Sequence, residues 1–540
     1  MGLSLESIAL EALTNIVGHD DVNQFLINRI VNRVRNRPHP WSTRHDYISW
    51  SGLTDRTYNA RLLPAKPYPA IEAMGTRRPP IVDVAALFAR PPGARQRLCP
   101  KSTGLFPAFA QYLTDGFIRT RISNIDAETD RRRTTSNHEI DMSPLYGRTE
   151  SQTAVLRLKS ESAGSRGRLK TQTIAGEAFS PYLFGSDGLV QPEFCDAAGK
   201  SLLDTPLGID HATPAGRATL FAVGGDRVNA APQTAMMNTL FLREHNRLAA
   251  MLEDRHPLWD DERVFQTARN ILIVMFIKIV VEDYINHINT SVFKLRADPK
   301  VAWHAKWNRP NWMTVEFSLL YRWHSLVPET LVWGGQTVPG NAMLLNNTAL
   351  LASGLATSFV EISANPAAAL GLGNSASFLL RAELAAIDQA RLNNVATYND
   401  YRTAMDMERA ESFAEIVGDS DDPAEQARRD ALAQRLAALY GHPDNVEFYV
   451  GLFAEPRETN GPLPDLIMAM VAMDAFSQAL TNPLLSEHVW GDIENRRLAF
   501  TDQGLAEIAA TTRLRDVLVR NSAGLGGRFV GMTRRDWERE

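Results

Sequence analysis

Apolar residues recur every three to four positions along most of the chain, which is the period of an α-helix with one buried face. Beyond residue 100 the pattern is clearest in five stretches, without the alternation that predicts strands. These stretches are 235–254, 262–289, 374–391, 424–440 and 463–481. The pattern therefore predicts a mainly α fold. Because no internal repeat or long low-complexity segment divides the chain, we expect one large helical domain.

The N-terminal part of the chain differs from the rest. Residues 3–35 follow helical spacing and become rich in arginine toward their end. Such a basic amphipathic segment could lie on a membrane surface or pack on the body of the protein, and both interpretations stay open. Residues 37–92 are rich in proline and aromatic residues with little periodicity, which predicts an extended loop. We therefore separate an N-terminal segment, 1–37, from a main domain, 38–540.

Composition narrows the class of protein. The chain is 44% hydrophobic and 22% charged with a net charge of -5, which indicates a soluble globular protein and argues against nucleic acid as a partner. Two cysteines, Cys99 and Cys195, provide no disulfide framework. The first residues lack the basic start of a secretory signal, and the longest apolar run, 271–281, is shorter than the ~20 residues that span a bilayer. We expect a cytoplasmic protein, with peripheral membrane association left open.

One segment carries candidate chemistry. EFSLLYRWHSLVPE, residues 316–329, places Tyr321 and His324 three positions apart, so the two could share one side of a helical turn. On these residues alone the signal is weak. A histidine in an apolar stretch is more often a hydrogen-bonded core residue than a metal ligand, and a nearby tyrosine is more often packing.

Several further segments strengthen the case that residues 316–329 have a chemical role. They are HEIDMSPLYG at 138–147, FLREHNRL at 241–248, the stretch 256–288, IDQARLNNVATYNDYR from 387 and ALYGHPDNVEFYVGLFAEP after it. Together with LYRWH, and in this order, they resemble the cyclooxygenase-like branch of the animal haem peroxidase superfamily over residues 25–490. Agreement of several long motifs in one order is not expected by chance.

The resemblance implies a fold and a chemistry. It implies a large helical domain with haem b between distal and proximal helices, His324 as the axial ligand of the iron, and Tyr321 as a radical-bearing residue. It further implies unsaturated fatty acid and O2 as substrates and lipid hydroperoxides as products. The second nitrogen of His324 would need a hydrogen-bond acceptor, for which the sequence offers no candidate.

The distal side departs from the family. FAQYLTDGFIRT, residues 109–120, resembles the distal helix and retains Gln111, but Asp115 stands at the position of the distal histidine. That histidine takes a proton from peroxide and returns it, whereas an exposed aspartate with a pKa of about 4 is a poor donor. Burial could raise this pKa. We expect weak peroxidase activity. Arg227 resembles the distal arginine of the peroxidase branch, or is a surface residue of a glycine-containing loop.

Other family features are altered. The positions that form ester bonds to haem hold Thr114 and Ala230 instead of carboxylates, so the resemblance implies non-covalent haem. Calcium is doubtful because the family's calcium-binding aspartate is replaced by Gly116, and we do not predict the metal. The remaining positions that resemble calcium ligands are Asn137, Asp141 and Ser143. Asp141 could equally cap the following turn.

Candidate residues for the substrate carboxylate are Arg29 and Arg33, and the alternative is a solvated basic face. We expect a fatty-acid dioxygenase. The alternatives are a haem peroxidase that oxidises small reductants with peroxide and a catalytically impaired homologue that binds haem or lipid. The sequence carries no indication of oligomeric state.

Overall fold

The computed structural model describes residues 5–32, 39–70, 77–121, 130–457 and 460–537. These residues fold mainly into α-helices around one continuous apolar core. The prediction of a mainly α fold with one large domain is thereby confirmed. The proposed boundary at residue 37 lies outside the described residues, as does Arg33.

The helices of seven or more residues are numbered here in chain order. They are α1 (Leu5–Val17), α2 (His19–Val31), α3 (Ile81–Phe88), α4 (Leu105–Asp115), α5 (Glu150–Leu156), α6 (Pro232–Arg255), α7 (Asp261–Ile279), α8 (Thr348–Ala364), α9 (Leu380–Leu392), α10 (Tyr398–Ala404), α11 (Pro423–Tyr440), α12 (Phe448–Ala454), α13 (Asp465–Leu480), α14 (Ile493–Ala509) and α15 (Leu514–Asn521). Shorter helices include Trp50–Thr54, Ser143–Tyr146, Pro214–Arg217, Lys300–Trp303, Val315–Leu320 and Phe413–Val417.

Strands form only small antiparallel pairs in the described part of the chain. The pairs are Trp41–Ser42 with Ala60–Arg61, Leu98–Thr103 with Pro366–Ala368, Thr120–Arg121 with Asp130–Thr134, Gln172–Ile174 with Glu177–Phe179, and Thr330–Trp333 with Gln336–Pro339. The last is a hairpin in register, with Leu331 opposite Val338. Each pair ties loops to the helical body.

Helices α6 and α7 form the centre of the fold. Helix α7 packs against α6 on one side and α14 on the other. Among the described residues one helix, Asp261–Ile288, is long and apolar enough to span a bilayer, but 78% of its most apolar window is buried inside the protein. It is a core helix, as its sequence indicated. After Ile279 it continues as a π-helical segment, Val280–Ile285.

Three predictions of local structure need correction. The helical spacing of the N-terminal segment must be divided between two helices, because Gly18 adopts a φ of +97° and separates α1 from α2. The region 37–92 is not wholly extended, since it contains Trp50–Thr54, capped by the Ser49 side chain, and α3. The helix predicted at 374–391 begins only at Leu380, because the Asn374 amide bonds to the backbone of Arg97 and Ala369 and holds this segment outside the helix.

Candidate active site

Tyr321 and His324 lie where a short helix ends. Val315–Leu320 begins at Thr314, whose hydroxyl accepts a hydrogen bond from the Phe317 amide at 3.1 Å. Trp323 has a ψ of 46°, which leaves the helical region, and His324 begins a short 3-10 turn. The expectation that Tyr321 and His324 share one helical turn is therefore wrong. They lie instead on either side of a break in the helix.

His324 points one ring nitrogen at a buried carboxylate. Its Nδ1 is 3.2 Å from Oε2 of Glu383, in ion-pair range but without hydrogen-bond alignment. Glu383 accepts hydrogen bonds from the Tyr449 hydroxyl at 2.6 Å and the Ser375 hydroxyl at 2.8 Å. Glu383 is therefore fixed from two sides. It supplies the acceptor that His324 needs. The sequence offered no candidate for this acceptor, because nothing in the sequence of α9 places Glu383 opposite His324.

Two buried histidines, His245 and His287, use both nitrogens in structural hydrogen bonds. His245 bonds to the Tyr146 hydroxyl and the Gly167 carbonyl, at 2.9 and 2.8 Å. His287 bonds to the hydroxyls of Ser102 and Thr533, at 2.8 and 2.7 Å. Neither could bind a metal without losing a partner. This arrangement favours His324 over His245 as a ligand.

Tyr321 is buried in an aromatic row. Its ring stacks on Trp323, with centroids 4.7 Å apart, and lies 4.6 Å from the ring of Phe317. Trp323 is in turn 5.5 Å from Phe106 of α4. The Tyr284 phenol of the π-helical segment interacts with Tyr321, and burial raises the pKa of both hydroxyls. The Tyr284 hydroxyl has no aligned hydrogen-bond partner in the described part of the chain. Tyr321 is thus a protonated phenol in an apolar setting.

The position of the distal histidine is a buried charge cluster. Asp115, at the end of α4, is 1% exposed and has Oδ1 3.3 Å from Arg119 Nε and 3.7 Å from Arg227 Nη1. Asp226 pairs with Arg227 at 2.9 Å. Arg227 is itself buried, so it is not a surface residue of its loop. Gly225 permits this packing, since a Cβ there would lie 2.1 Å from Asp115 Oδ2.

The two carboxyls of the cluster titrate in opposite directions. Burial raises the pKa of Asp115 to about 7, although Arg119 opposes the shift. Burial also acts on Asp226, but Arg227 and Arg119 outweigh it and leave its pKa lowered. The sequence-based premise of an exposed, ionised Asp115 is therefore wrong. The structure indicates one proton held on the Asp115 side of the pair near neutral pH.

This assignment predicts a pH-dependent difference between the wild type and Asp115→Asn. A carboxyl whose pKa rises from ~3.9 unfolded to about 7 folded stabilises most below the unfolded value and loses that contribution as pH rises through 7. Asparagine does not titrate. Between pH 5 and 8 the free energy of unfolding should therefore shift in favour of the variant by on the order of 1–4 kcal/mol.

Urea unfolding of both proteins at several pH values measures this shift. Asp502→Asn is the matched control, because Asp502 is exposed and pairs only with Arg497 on the surface. Its difference from the wild type should stay small. If the difference between Asp115→Asn and the wild type instead stays constant from pH 5 to 8, Asp115 is a normally ionised partner of the arginines.

The remaining predicted positions are distributed around this cluster. Gln111 lies one turn before Asp115 on α4. Asp141 accepts hydrogen bonds from the Asn137 amide and the Ser143 backbone, both at 2.8 Å, so it does cap the following turn. Arg29 is exposed in the last turn of α2. The roles proposed for Gln111 and Arg29 stay predictions, and calcium, which the sequence does not predict, is not tested.

Comparison with known proteins shows the family to which the chain belongs. The family model of the animal haem peroxidases matches residues 110–528. Prostaglandin G/H synthase 1 of Mus musculus is 29% identical over 473 residues, covering 86% of this chain and 72% of the relative. Prostaglandin G/H synthase 2 of Bos taurus is 30% identical over 463 residues, covering 84% and 69%.

Solved structures share the fold at lower identity. Peroxidase A from Dictyostelium discoideum has a TM-score of 0.67 at 17% identity and covers 92% of this chain and 99% of its own. The fatty acid alpha-dioxygenase of Oryza sativa has a TM-score of 0.66 at 16% identity and covers 99% and 98%. From the family model and the sequence relatives together, the chain belongs to the animal haem peroxidase family and is an oxidoreductase.

Proposed function

We propose that this protein is a haem-dependent fatty-acid dioxygenase that uses a radical on Tyr321. The observation that carries the proposal is the burial of Tyr321 in an aromatic row, three residues from a histidine whose Nδ1 faces a carboxylate. The similarity to prostaglandin G/H synthases supports it. The proposed substrates are an unsaturated fatty acid and O2.

The residues present fit the family's cofactor. With Nδ1 of His324 directed at Glu383, its Nε2 is left for an iron, which is the usual arrangement of a histidine ligand whose second nitrogen faces a carboxylate. Arg322, next to Tyr321, is held by hydrogen bonds to the carbonyl and hydroxyl of Ser318 and to Gln389, and its pKa is lowered to about 10, chiefly by burial. Thr114 donates its hydroxyl to the Ala110 carbonyl and offers no carboxylate for an ester. Bound haem is therefore expected to be non-covalent.

Tyr321 performs the steps on substrate. Bound haem, once oxidised by a hydroperoxide, would supply the one-electron oxidation that, with loss of the hydroxyl proton, leaves a phenoxyl radical on Tyr321. That radical takes a hydrogen atom from an acyl carbon, which restores the phenol and leaves a carbon radical. O2 adds to the carbon, and the resulting peroxyl radical takes the hydrogen back from Tyr321. The product is a hydroperoxide, and the tyrosine radical is ready for another turnover. Burial between Phe317 and Trp323 keeps Tyr321 away from reductants in solution that would quench the radical.

Peroxidase turnover by small reductants is expected to be weak. Asp115 lies close to Arg119, Arg227 and Asp226, so its proton is shared within the cluster instead of being free to move between two peroxide oxygens. Arg227 could still stabilise negative charge as a peroxide bond breaks. These features favour oxygenation over a plain peroxidase.

Oxygen uptake measured against peroxide turnover tests the proposal. The haem-loaded protein is offered a panel of unsaturated fatty acids in an oxygen electrode and, separately, hydrogen peroxide with a phenolic reductant. We expect oxygen uptake and hydroperoxide formation, with little peroxide turnover. Rapid peroxide turnover without oxygen uptake would establish the peroxidase alternative, and inactivity in both assays would establish a haem-binding or lipid-binding homologue.

Glu383→Gln is expected to raise the reduction potential of the haem-loaded protein. A carboxylate facing His324 Nδ1 makes the imidazole a stronger electron donor, which favours the oxidised metal. Gln keeps the shape and an acceptor for Tyr449 but removes the charge. The shift should be roughly 60–130 mV, the one-electron equivalent of the ~1.5–3 kcal/mol of a charged hydrogen bond.

Spectroelectrochemical titration measures this potential. The matched control is Asp388→Asn on the same helix, because Asp388 is exposed and pairs with Arg131 at the surface. That variant loses the same charge without facing His324 and should leave the potential nearly unchanged. Equal shifts in the two variants would mean that Glu383 acts only through long-range charge.

A further inference from the structure

A cleft lined by arginines lies behind the segment that carries His324. It encloses about 230 Å³, several times the ~30 Å³ that one water occupies, between the 370–372 segment, α11 and the end of α12. Four guanidinium groups line it, those of Arg97, Arg428, Arg429 and Arg457. None of these four has a part in the oxygenation chemistry proposed above.

The arginines outnumber the acids available to them. Glu425 binds Arg428 in a bidentate pair at 2.6 and 2.8 Å and Arg429 at 3.2 Å. Glu455 also lines the cleft, but it is paired with Arg402 at 2.6 Å and with the Tyr398 hydroxyl. Among the described lining residues, Glu425 thus offsets one of four positive charges, and three remain.

The arginines of the cleft act on one another. The pKa of Arg97 is lowered to about 10, chiefly by burial, with Arg428, Arg457 and Arg429 also lowering it and Glu425 opposing them. Glu425 has its pKa lowered to about 2, chiefly by its hydrogen bonds from Arg428. Like charges held together in a partly buried space repel each other at a cost that an anion would relieve. Arg97 is meanwhile fixed in place by a hydrogen bond from Nη2 to the Leu372 carbonyl at 2.9 Å.

We propose that this cleft is a binding site for a small multivalent oxyanion of the phosphate class. Planar guanidinium groups converging on one space match the oxygens of such an anion in geometry and charge. A multivalent anion is favoured over chloride, since the described lining residues leave three positive charges without a carboxylate partner from that lining. The anion could be free or the headgroup of a phospholipid, and the shared chemistry is a phosphate oxygen bound by arginine.

The wall of the cleft is continuous with the proximal side of the haem site. Gly371 donates its amide to the Ser325 hydroxyl at 3.1 Å, next to His324, and Leu372 donates its amide to the Phe453 carbonyl at 2.9 Å. Phe453 packs against Tyr449, the partner of Glu383. An anion in the cleft would therefore stiffen the segment that supports the ligand histidine.

Calorimetric titration of the haem-loaded protein tests the proposal. Inorganic pyrophosphate should bind one to one, inorganic phosphate more weakly, and both more weakly as NaCl is added. Arg97→Gln combined with Arg428→Gln should weaken pyrophosphate binding by on the order of 100-fold or more. The matched control is Arg435→Gln, because Arg435 is on the same helix α11, binds the Ala86 carbonyl and does not line the cleft.

A second assay and a second variant make the outcome decisive. Sedimentation with phosphatidylcholine vesicles, with and without phosphatidic acid, distinguishes a lipid headgroup from a free anion. Binding in either arm, the titration or the sedimentation, supports the site if it requires the arginines. The single variant Arg428→Gln, whose residue is partly exposed, replaces the double variant if the latter does not fold. No binding in either arm, or equal binding by the wild type and the arginine variants, overturns the proposal.

Discussion

Tyr321→Phe is expected to abolish oxygen uptake with unsaturated fatty acid while leaving haem binding intact. Phenylalanine fills the same space between Phe317 and Trp323 but has no hydroxyl hydrogen to give up, so the radical that attacks substrate cannot form. The cost to folding should be about 1 kcal/mol, that of one buried hydroxyl. Oxygen electrode traces and the haem absorption of the purified variant report the two quantities separately.

Tyr284→Phe is the matched control for that variant. Tyr284 is a buried phenol that interacts with Tyr321, yet the proposed chemistry does not require it as the attacking residue. This variant should retain oxygen uptake, and paramagnetic resonance should still detect a tyrosyl radical. Unchanged uptake in Tyr321→Phe, or loss of uptake only in Tyr284→Phe, would move the radical to another residue.

His324→Ala is expected to lower haem affinity by roughly 100-fold or more, beyond the 10–100-fold typical of losing only a partner of a ligand. The other buried histidines described above have both nitrogens engaged, so none replaces it without breaking a hydrogen bond. Haem titration followed by absorption measures the affinity and the ligand signature.

Rescue by a small molecule separates ligation from folding in this experiment. His324→Gly leaves space for free imidazole, which should restore the absorption spectrum when added at millimolar concentration. His304→Ala is the surface control, because His304 is 83% exposed. A wild-type spectrum in His324→Ala without imidazole would exclude His324 as the axial ligand.

The sequence predicted the helices of the core well because their apolar faces repeat over many turns. Helix α6 lies within a few residues of the predicted range 235–254, and α7 together with its π-helical continuation to Ile288 matches the range 262–289. Local hydrogen bonds that compete with helix formation were not predictable. The Asn374 side chain holds the backbone before α9, and Gly18 breaks the N-terminal helices, through conformations that periodicity does not record.

The site was predictable only in part, for a related reason. Tyr321, His324 and Asp115 stand in motifs that resemble the family, so their positions followed from sequence. Glu383 comes from a different helix and acquires its significance only from its distance to His324. The pKa of Asp115 also depended on burial and on Arg227, which lies 112 positions away in the chain.

The orientation of Tyr284 toward Tyr321 depends on the helical geometry of the π-helical segment Val280–Ile285. A π turn holds one residue more than an α turn, so the segment behaves as a one-residue insertion into α7. If the segment kept all of its residues but had α-helical geometry, the side chains after it would be rotated by about 100° and Tyr284 would turn away from Tyr321. Deleting one residue between Val280 and Asp283 would remove the extra residue and leave Tyr284 on the side that faces Tyr321. The π turn, and not only the choice of residue at position 284, therefore sets the pairing of the two phenols.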